Sequence, residues 1–240
     1  MTEPFPVLVG WDSREDIAYQ VCRHSLLQHA SVPVSVDPIR QPDLRAAGIY
    51  DRPIDPLAST EFTYTRFLVP HLRGFEGWAL FVDCDFLWLD DIAGLLAACD
   101  PRHAVMCVQH DYAPTERWKM DGVPQSSYPR KNWSSLILWN CGHPANRVLT
   151  PELVNRESGA FLHRFQWLPD ELIGAVPERW NWLEGWSRPA AAGQLPGAVH
   201  YTRGGPWFAE WQDVAYADLW CAARDACVGG QPAAGQARAG

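Results

Sequence analysis

The sequence predicts an α/β fold, a single domain over residues 1–228 in which a Rossmann-like mixed sheet is flanked by helices. Three observations predict it. Short, bounded apolar runs alternate with helix-spaced stretches through the first 110 residues, the pattern of strand–helix–strand units with helical cover. Trp78–Asp83 is a continuous apolar run closed by an acid, as a strand buried on both faces should be. With 47% hydrophobic and 20% charged residues, a chain of 240 residues has enough apolar surface for one sizeable core.

In chain order, residues 6–10 form the first predicted strand and end in a Gly-Trp-Asp-Ser turn. From residue 15 to 28, Ile17, Ala18, Val21, Cys22, Ser25 and Leu26 recur at helical spacing. Residues 32–37 return to a strand pattern. Ser59 or Thr60 caps a predicted helix that carries Phe62, Arg66, Phe67 and Val69 and stops near Pro70. Asp90 and Asp91 open a short helix to residue 98, with acids at its positive end. Residues 104–108 and 135–139 read as further strands, and 110–132 as a long polar loop that could serve as a lid. Helical stretches follow around 146–154 and 159–168, then a short strand before His200 and a helix through Tyr216 and Trp220. The second half supplies antiparallel additions to the same sheet. Residues 229–240 read as a frayed tail.

Charge and composition exclude several classes. Twenty basic against 28 acidic residues leave a net charge of -8, and Lys119 and Lys131 are the only lysines, so a nucleic-acid partner is not expected. No apolar run is long enough to span a bilayer, and the first residues lack the features of a signal peptide. Seven dispersed cysteines without a CxxC pair suit a reducing compartment. The expectation is a cytoplasmic protein, with peripheral contact at the inner membrane face left open. Oligomeric state is not legible.

The chemistry concentrates at the end of the 78–83 strand. Asp83 and Asp85 share a face if the chain stays extended, and two carboxylates so close invite a cation, a shared proton or water. A divalent ion is the first reading, with His200 as a further ligand. Solvated loop acids and an aspartate-nucleophile phosphohydrolase are the alternatives, the latter short of its partner residues. Arg203, Gly204 and Gly205 form a flexible turn able to approach anionic oxygens. Trp133, Trp180, Trp182, Trp186 and Trp207 lie among polar residues. They suggest aromatic platforms for sugar rings, with Trp180, Trp182 and Trp207 as the acceptor-binding candidates, and they keep a non-catalytic saccharide-binding protein in view.

Taken together, these segments resemble the family 8 nucleotide-sugar glycosyltransferases of the GT-A fold. The matching pieces are residues 7–12, 63–70, 80–85 with Asp91 and Ile92, 131–140, 168–170, 176–181 and 200–207. The likeness is nearest to a bacterial and phage subgroup, through residues 10–15 and 130–135. Two departures stand out: Gly205 occupies the place of the family's lysine before Pro-Trp, and Glu171 directly follows Asp170 where a Gln is usual.

The resemblance implies metal-dependent, retaining transfer of a hexose from a nucleoside-diphosphate sugar, UDP favoured, to a saccharide or glycolipid hydroxyl. It implies Mn2+ (or Mg2+) on Asp83, Asp85 and His200. Val9, Gly10, Asp12, Tyr19, Arg66, Asp83, Cys84, Asn132, Arg203 and Gly204 fall at donor-binding positions, with Asp12 and Tyr19 toward base and ribose. Asp170, Arg66 and Asn140 fall at catalytic positions: Arg66 at the phosphates, Asn140 and Asp170 at the donor sugar.

Overall fold

A computed structural model describes residues 3–54, 58–111, 130–189 and 193–229. The lid expectation for the 110–132 loop falls mainly on residues 112–129, outside the described residues, as does nearly all of the predicted tail.

Strand β1 (Phe5–Gly10), helix α1 (Asp16–His29), strand β2 (Val34–Ile39) and helix α2 (Gln41–Ala46) make the first strand–helix unit. A 3-10 turn over Thr65–Leu68 runs into helix α3 (Val69–Leu72). Pro70 was expected to stop this helix; instead it sits in the first turn of α3, where its missing N–H costs no hydrogen bond. Strands β3 (Trp78–Val82) and β4 (Phe86–Trp88), helix α4 (Ala93–Leu96), and strands β5 (Val105–Cys107) and β6 (Leu136–Asn140) follow. Helices α5 (Pro151–Arg156) and α6 (Gly159–His163) are shorter than their patterns suggest. Strands β7 (Ile173–Ala175), β8 (Trp182–Leu183) and β9 (Ala198–His200) precede the closing helix α7 (Ala217–Gly229), which extends one residue into the expected tail.

The main sheet has the order β2-β1-β3-β6-β5-β7. β1 is parallel to β2 and β3, and β5 is parallel to β7. β6 runs antiparallel to both β3 and β5, so the antiparallel addition expected from the second half lies inside the sheet. The carboxyl ends of β1, β3, β5 and β7 and the amino end of β6 therefore share one edge. β4, β9 and β8 form a second, three-stranded sheet that the sequence pattern did not separate from the first.

β3 is buried from Ala79 to Val82, which explains its unbroken apolar run. Helix α1 turns Tyr19, Cys22 and Leu26 toward the main core. Its Val21 joins Leu87, Trp182, Val199, Tyr201 and Trp220 in a smaller cluster. One amphipathic helix thus ties the two sheets together.

Candidate metal-binding site

β3 ends at Val82, and the next residues turn into β4 of the second sheet. Asp83 keeps the ladder alive, its N–H donating to the Ser135 carbonyl at 2.9 Å. β4 pairs with β9 so that Phe86 lies opposite His200, and the Tyr201 N–H donates to the Asp85 carbonyl at 3.0 Å. This pairing carries a histidine 115 positions along the chain to the acids: ligand atoms of Asp83, Asp85 and His200 all lie within 4.8 Å of one another. His200 Nε2 is 3.3 Å from Asp85 Oδ1, and its ring stacks on Phe86 at 4.3 Å between centroids.

The electrostatics call for a cation. Asp83 Oδ1 and Asp85 Oδ1 are buried without a hydrogen-bond partner. Arg66 Nη1 lies 2.7 Å from Asp83 Oδ1, an ion contact out of hydrogen-bond alignment, while the same nitrogen donates to the Ser134 carbonyl at 2.8 Å. Burial pushes the Asp83 carboxyl up, and Arg66 opposes that shift. Glu15, which the sequence reading missed, is pushed up to about 8 by burial and then by Asp85 and Asp12. Three acids crowded this way are under repulsion that a divalent ion would relieve, and two carboxylates with an imidazole are a donor set able to hold one.

Other expected site residues are placed differently. Asn140 pairs with Trp78 at the opposite end of β3, about 16 Å from Asp83 at the usual rise per residue, because β6 is antiparallel. Its side chain donates to the His103 carbonyl at 3.1 Å, so it holds a turn at the end of β3 away from the acids. Asp12 is fully buried and accepts from the Arg14 side chain and from the Arg14 and Glu61 backbone N–H groups. Burial would raise its pKa, but those bonds outweigh it and hold the carboxylate low, committed within the protein rather than offered to a base. Asp170 leads into β7 from the end away from the acids. Its side chain is 87% exposed and paired with Arg130, not with the cluster.

Trp180 and Trp182, expected as acceptor platforms, are core residues only 3% and 8% exposed. Trp180 packs over Gly94 and Gly197, and Trp182 Nε1 donates to the Arg188 carbonyl at 2.8 Å. Trp207 packs against Tyr201, Phe208 and Trp220. Tyr19 and Cys84 are buried, and Val9 has no exposed surface, so these side chains fill the core. A Cβ on Gly10 would sit 2.4 Å from Phe62, which accounts for that glycine by packing. Arg203 is ion-paired with the buried Glu184 at 2.9 Å and lies over Trp211, beside Gly204 at φ 121°. Asn132, at φ 63°, accepts from the Ser135 hydroxyl and borders the Asp83 edge.

Several neighbours of the candidate site escaped the sequence reading. Glu184 holds Arg203, and Glu15 adds charge to the acid pair. Asn181 was visible within a Pro-x-x-Trp-Asn segment but had no role, and Ser135 likewise. Buried His110 is pushed down to about 4 by desolvation and neighbouring His200.

The fold and this edge define the class: a mixed α/β fold of the GT-A glycosyltransferase type. The bifunctional glycosyltransferase WbbM superposes with a TM-score of 0.67 at 16% identity, covering 93% of this chain and 50% of that one. GlyE of Streptococcus pneumoniae TIGR4 gives 0.62 at 15% identity, with 92% and 60% covered. The galactosyltransferase LgtC, solved with donor and acceptor sugar analogs, gives 0.57 at 11% identity, with 92% and 96% covered. The chain thus spans half of WbbM and 60% of GlyE. No protein-family model matches the sequence. It is 58% identical over 220 residues to Protein CDI of Arabidopsis thaliana, covering 91% of this chain and 85% of that protein, and it belongs to the family of Protein CDI. That relative is a plant protein, not a bacterial or phage one. Among the described residues no helix is long and apolar enough to cross a membrane.

Proposed function

We propose that the protein transfers a sugar from a nucleoside-diphosphate donor, UDP favoured, to a saccharide or glycolipid hydroxyl, with retention at the anomeric carbon. The observation that carries this is the convergence of Asp83, Asp85 and His200 within 4.8 Å at the carboxyl end of the central strand, with the buried Asp85 Oδ1 lacking a hydrogen-bond partner. These three residues would hold a divalent ion, Mn2+ or Mg2+. Such an ion supplies positive charge for a diphosphate leaving group.

The chain's own residues prepare that edge. Arg66 is held by the Ser134 carbonyl and by the rings of Phe62 and Phe81, 5.2 and 5.1 Å from its Cζ, so its cation is fixed beside Asp83. Arg203, clamped by Glu184 and Trp211, stands in the turn after His200, two positions before the Gly205 that takes the place of the family's lysine, and is assigned to the anionic donor. Asn132 borders the same edge and is assigned to the donor as well. Asn140, Asp12, Trp180 and Trp182 are not carried forward.

The test is release of UDP from a panel of UDP-sugars, with and without saccharide acceptors, under added Mn2+ and after chelation. Metal-dependent UDP release stimulated by an acceptor is expected. Phosphate release instead would mark a phosphohydrolase, and saccharide binding without turnover a binding protein. A first-formed product of inverted configuration, seen by NMR, would remove retention.

A further inference from the structure

His200 is oriented by a chain of hydrogen bonds whose direction can be read from one end. The Asn132 backbone carbonyl can only accept. The Ser135 hydroxyl lies 2.8 Å from it and must give its proton there. The Ser135 oxygen is then left with lone pairs toward Asn181 Nδ2, 2.9 Å away, and the Asn132 carbonyl lies 3.4 Å from the same nitrogen. Flipping the Asn181 amide would put its oxygen against two acceptors, so the amide orientation is settled. Asn181 Oδ1 therefore faces His200 Nδ1 at 2.8 Å, and Nδ1 must carry a proton. Every side chain in the chain is buried, Asn181 fully and His200 to 3% exposure. No water is needed to satisfy any of these bonds.

In neutral imidazole only one nitrogen bears hydrogen. With that hydrogen committed to Asn181, His200 Nε2 presents a lone pair to Asp85 Oδ1 at 3.3 Å, an oxygen that itself has no hydrogen-bond partner. Two acceptors facing each other in a buried site repel unless a proton or a metal ion lies between them, and at alkaline pH, where the imidazole is neutral, that leaves the metal ion. Phe86, stacked on the ring at 21°, holds its plane. We propose that Asn181, oriented by Ser135 and the Asn132 carbonyl, is the positioning residue that sets the His200 tautomer and aims a bare Nε2 into the Asp83–Asp85 site for a divalent cation. The proposal rests on the metal reading given above, but the tautomer is observable without metal.

The experiment is long-range 1H–15N NMR of the metal-free full chain at alkaline pH, combined with Mn2+ titration followed by EPR. The wild type should show His200 protonated at Nδ1, the less common form of free histidine. Asn181→Asp keeps an acceptor facing Nδ1; its second oxygen can take the Ser135 hydroxyl proton in place of the Asn132 carbonyl, so the variant should keep both the tautomer and Mn2+ binding. Asn181→Leu removes the acceptor; it should mix the tautomers and weaken Mn2+ about 10–100-fold, the usual loss for a partner behind a ligand. The wild-type spectrum needs no variant to fold. A proton on Nε2 with Nδ1 bare, or unchanged Mn2+ affinity in Asn181→Leu, overturns the proposal while leaving metal binding by the wild type intact. A wild type with the Nδ1–H tautomer that binds no Mn2+ overturns the metal reading, and the role of Asn181 with it.

Discussion

Asp85 is the cleaner of the two acids to remove. Asp83 neutralises the buried Arg66, so Asp83→Asn leaves a buried cation uncompensated and tests stability and metal together. Among the described residues Asp85 contacts no arginine or lysine, and its side chain is 20% exposed. Asp85→Asn should therefore preserve the melting temperature within a few degrees while reducing Mn2+ affinity by more than the about 10–100-fold typical of an outer partner. Asn140→Ala should leave Mn2+ affinity unchanged, because Asn140 stands at the far end of β3. A comparable loss of Mn2+ binding in Asn140→Ala would refute that placement. Paired titrations of these variants check both statements.

The turn after β1 and the 3-10 turn at Thr65–Leu68 meet through packing. Gly10 admits the Phe62 ring, Phe62 lies against Phe81 and Arg66, and Arg66 contacts Asp83. Gly10→Ala should overpack this stack, lowering stability by about 1–3 kcal/mol in denaturant unfolding, and weaken metal binding through Arg66. The β8 region makes a contrasting case. Trp180→Ala opens the space over Gly94 and Gly197 and should cost about 3–5 kcal/mol. A Trp180→Ala variant of unchanged stability, altered only in its KM for the acceptor, would instead restore the residue as a sugar platform.

Across the whole molecule, the crowded acids couple stability to pH. Burial and then the charge of Asp85 push the Glu15 carboxyl from the ordinary 4.5 up to about 8, and burial raises Asp83 as well. For a raised acid the folded chain binds more protons than the unfolded one, so its contribution is fully present below about 4.5 and lost as pH rises through about 8. Without divalent ions, the melting temperature should fall between pH 5.5 and 8.5. Mn2+ should raise it most at the alkaline end, where the ligands are ionised; saturation at a hundredfold over Kd is worth about 2.7 kcal/mol. Calorimetry at both pH values, with and without Mn2+, checks the sign. A Mn2+ effect larger at pH 5.5 would contradict it.

Local pattern carried much of this protein. The continuous apolar run of β3, the helical spacing of α1 and the Asp83-x-Asp85 pair are properties of neighbouring residues, and periodicity reports them directly. Asp83, Asp85 and His200 were all visible as candidates, but their meeting depends on the β4–β9 register. The loss of Asn140 from the site depends on the direction of β6, and the burial of Trp180 and Trp182 on which face of the second sheet is covered. Those are long-range pairings, decided by which apolar surfaces close on one another, and composition near any single residue does not encode them. The same holds for Asn181: its amide acquires a direction only when Ser135, 46 positions away, is brought against it.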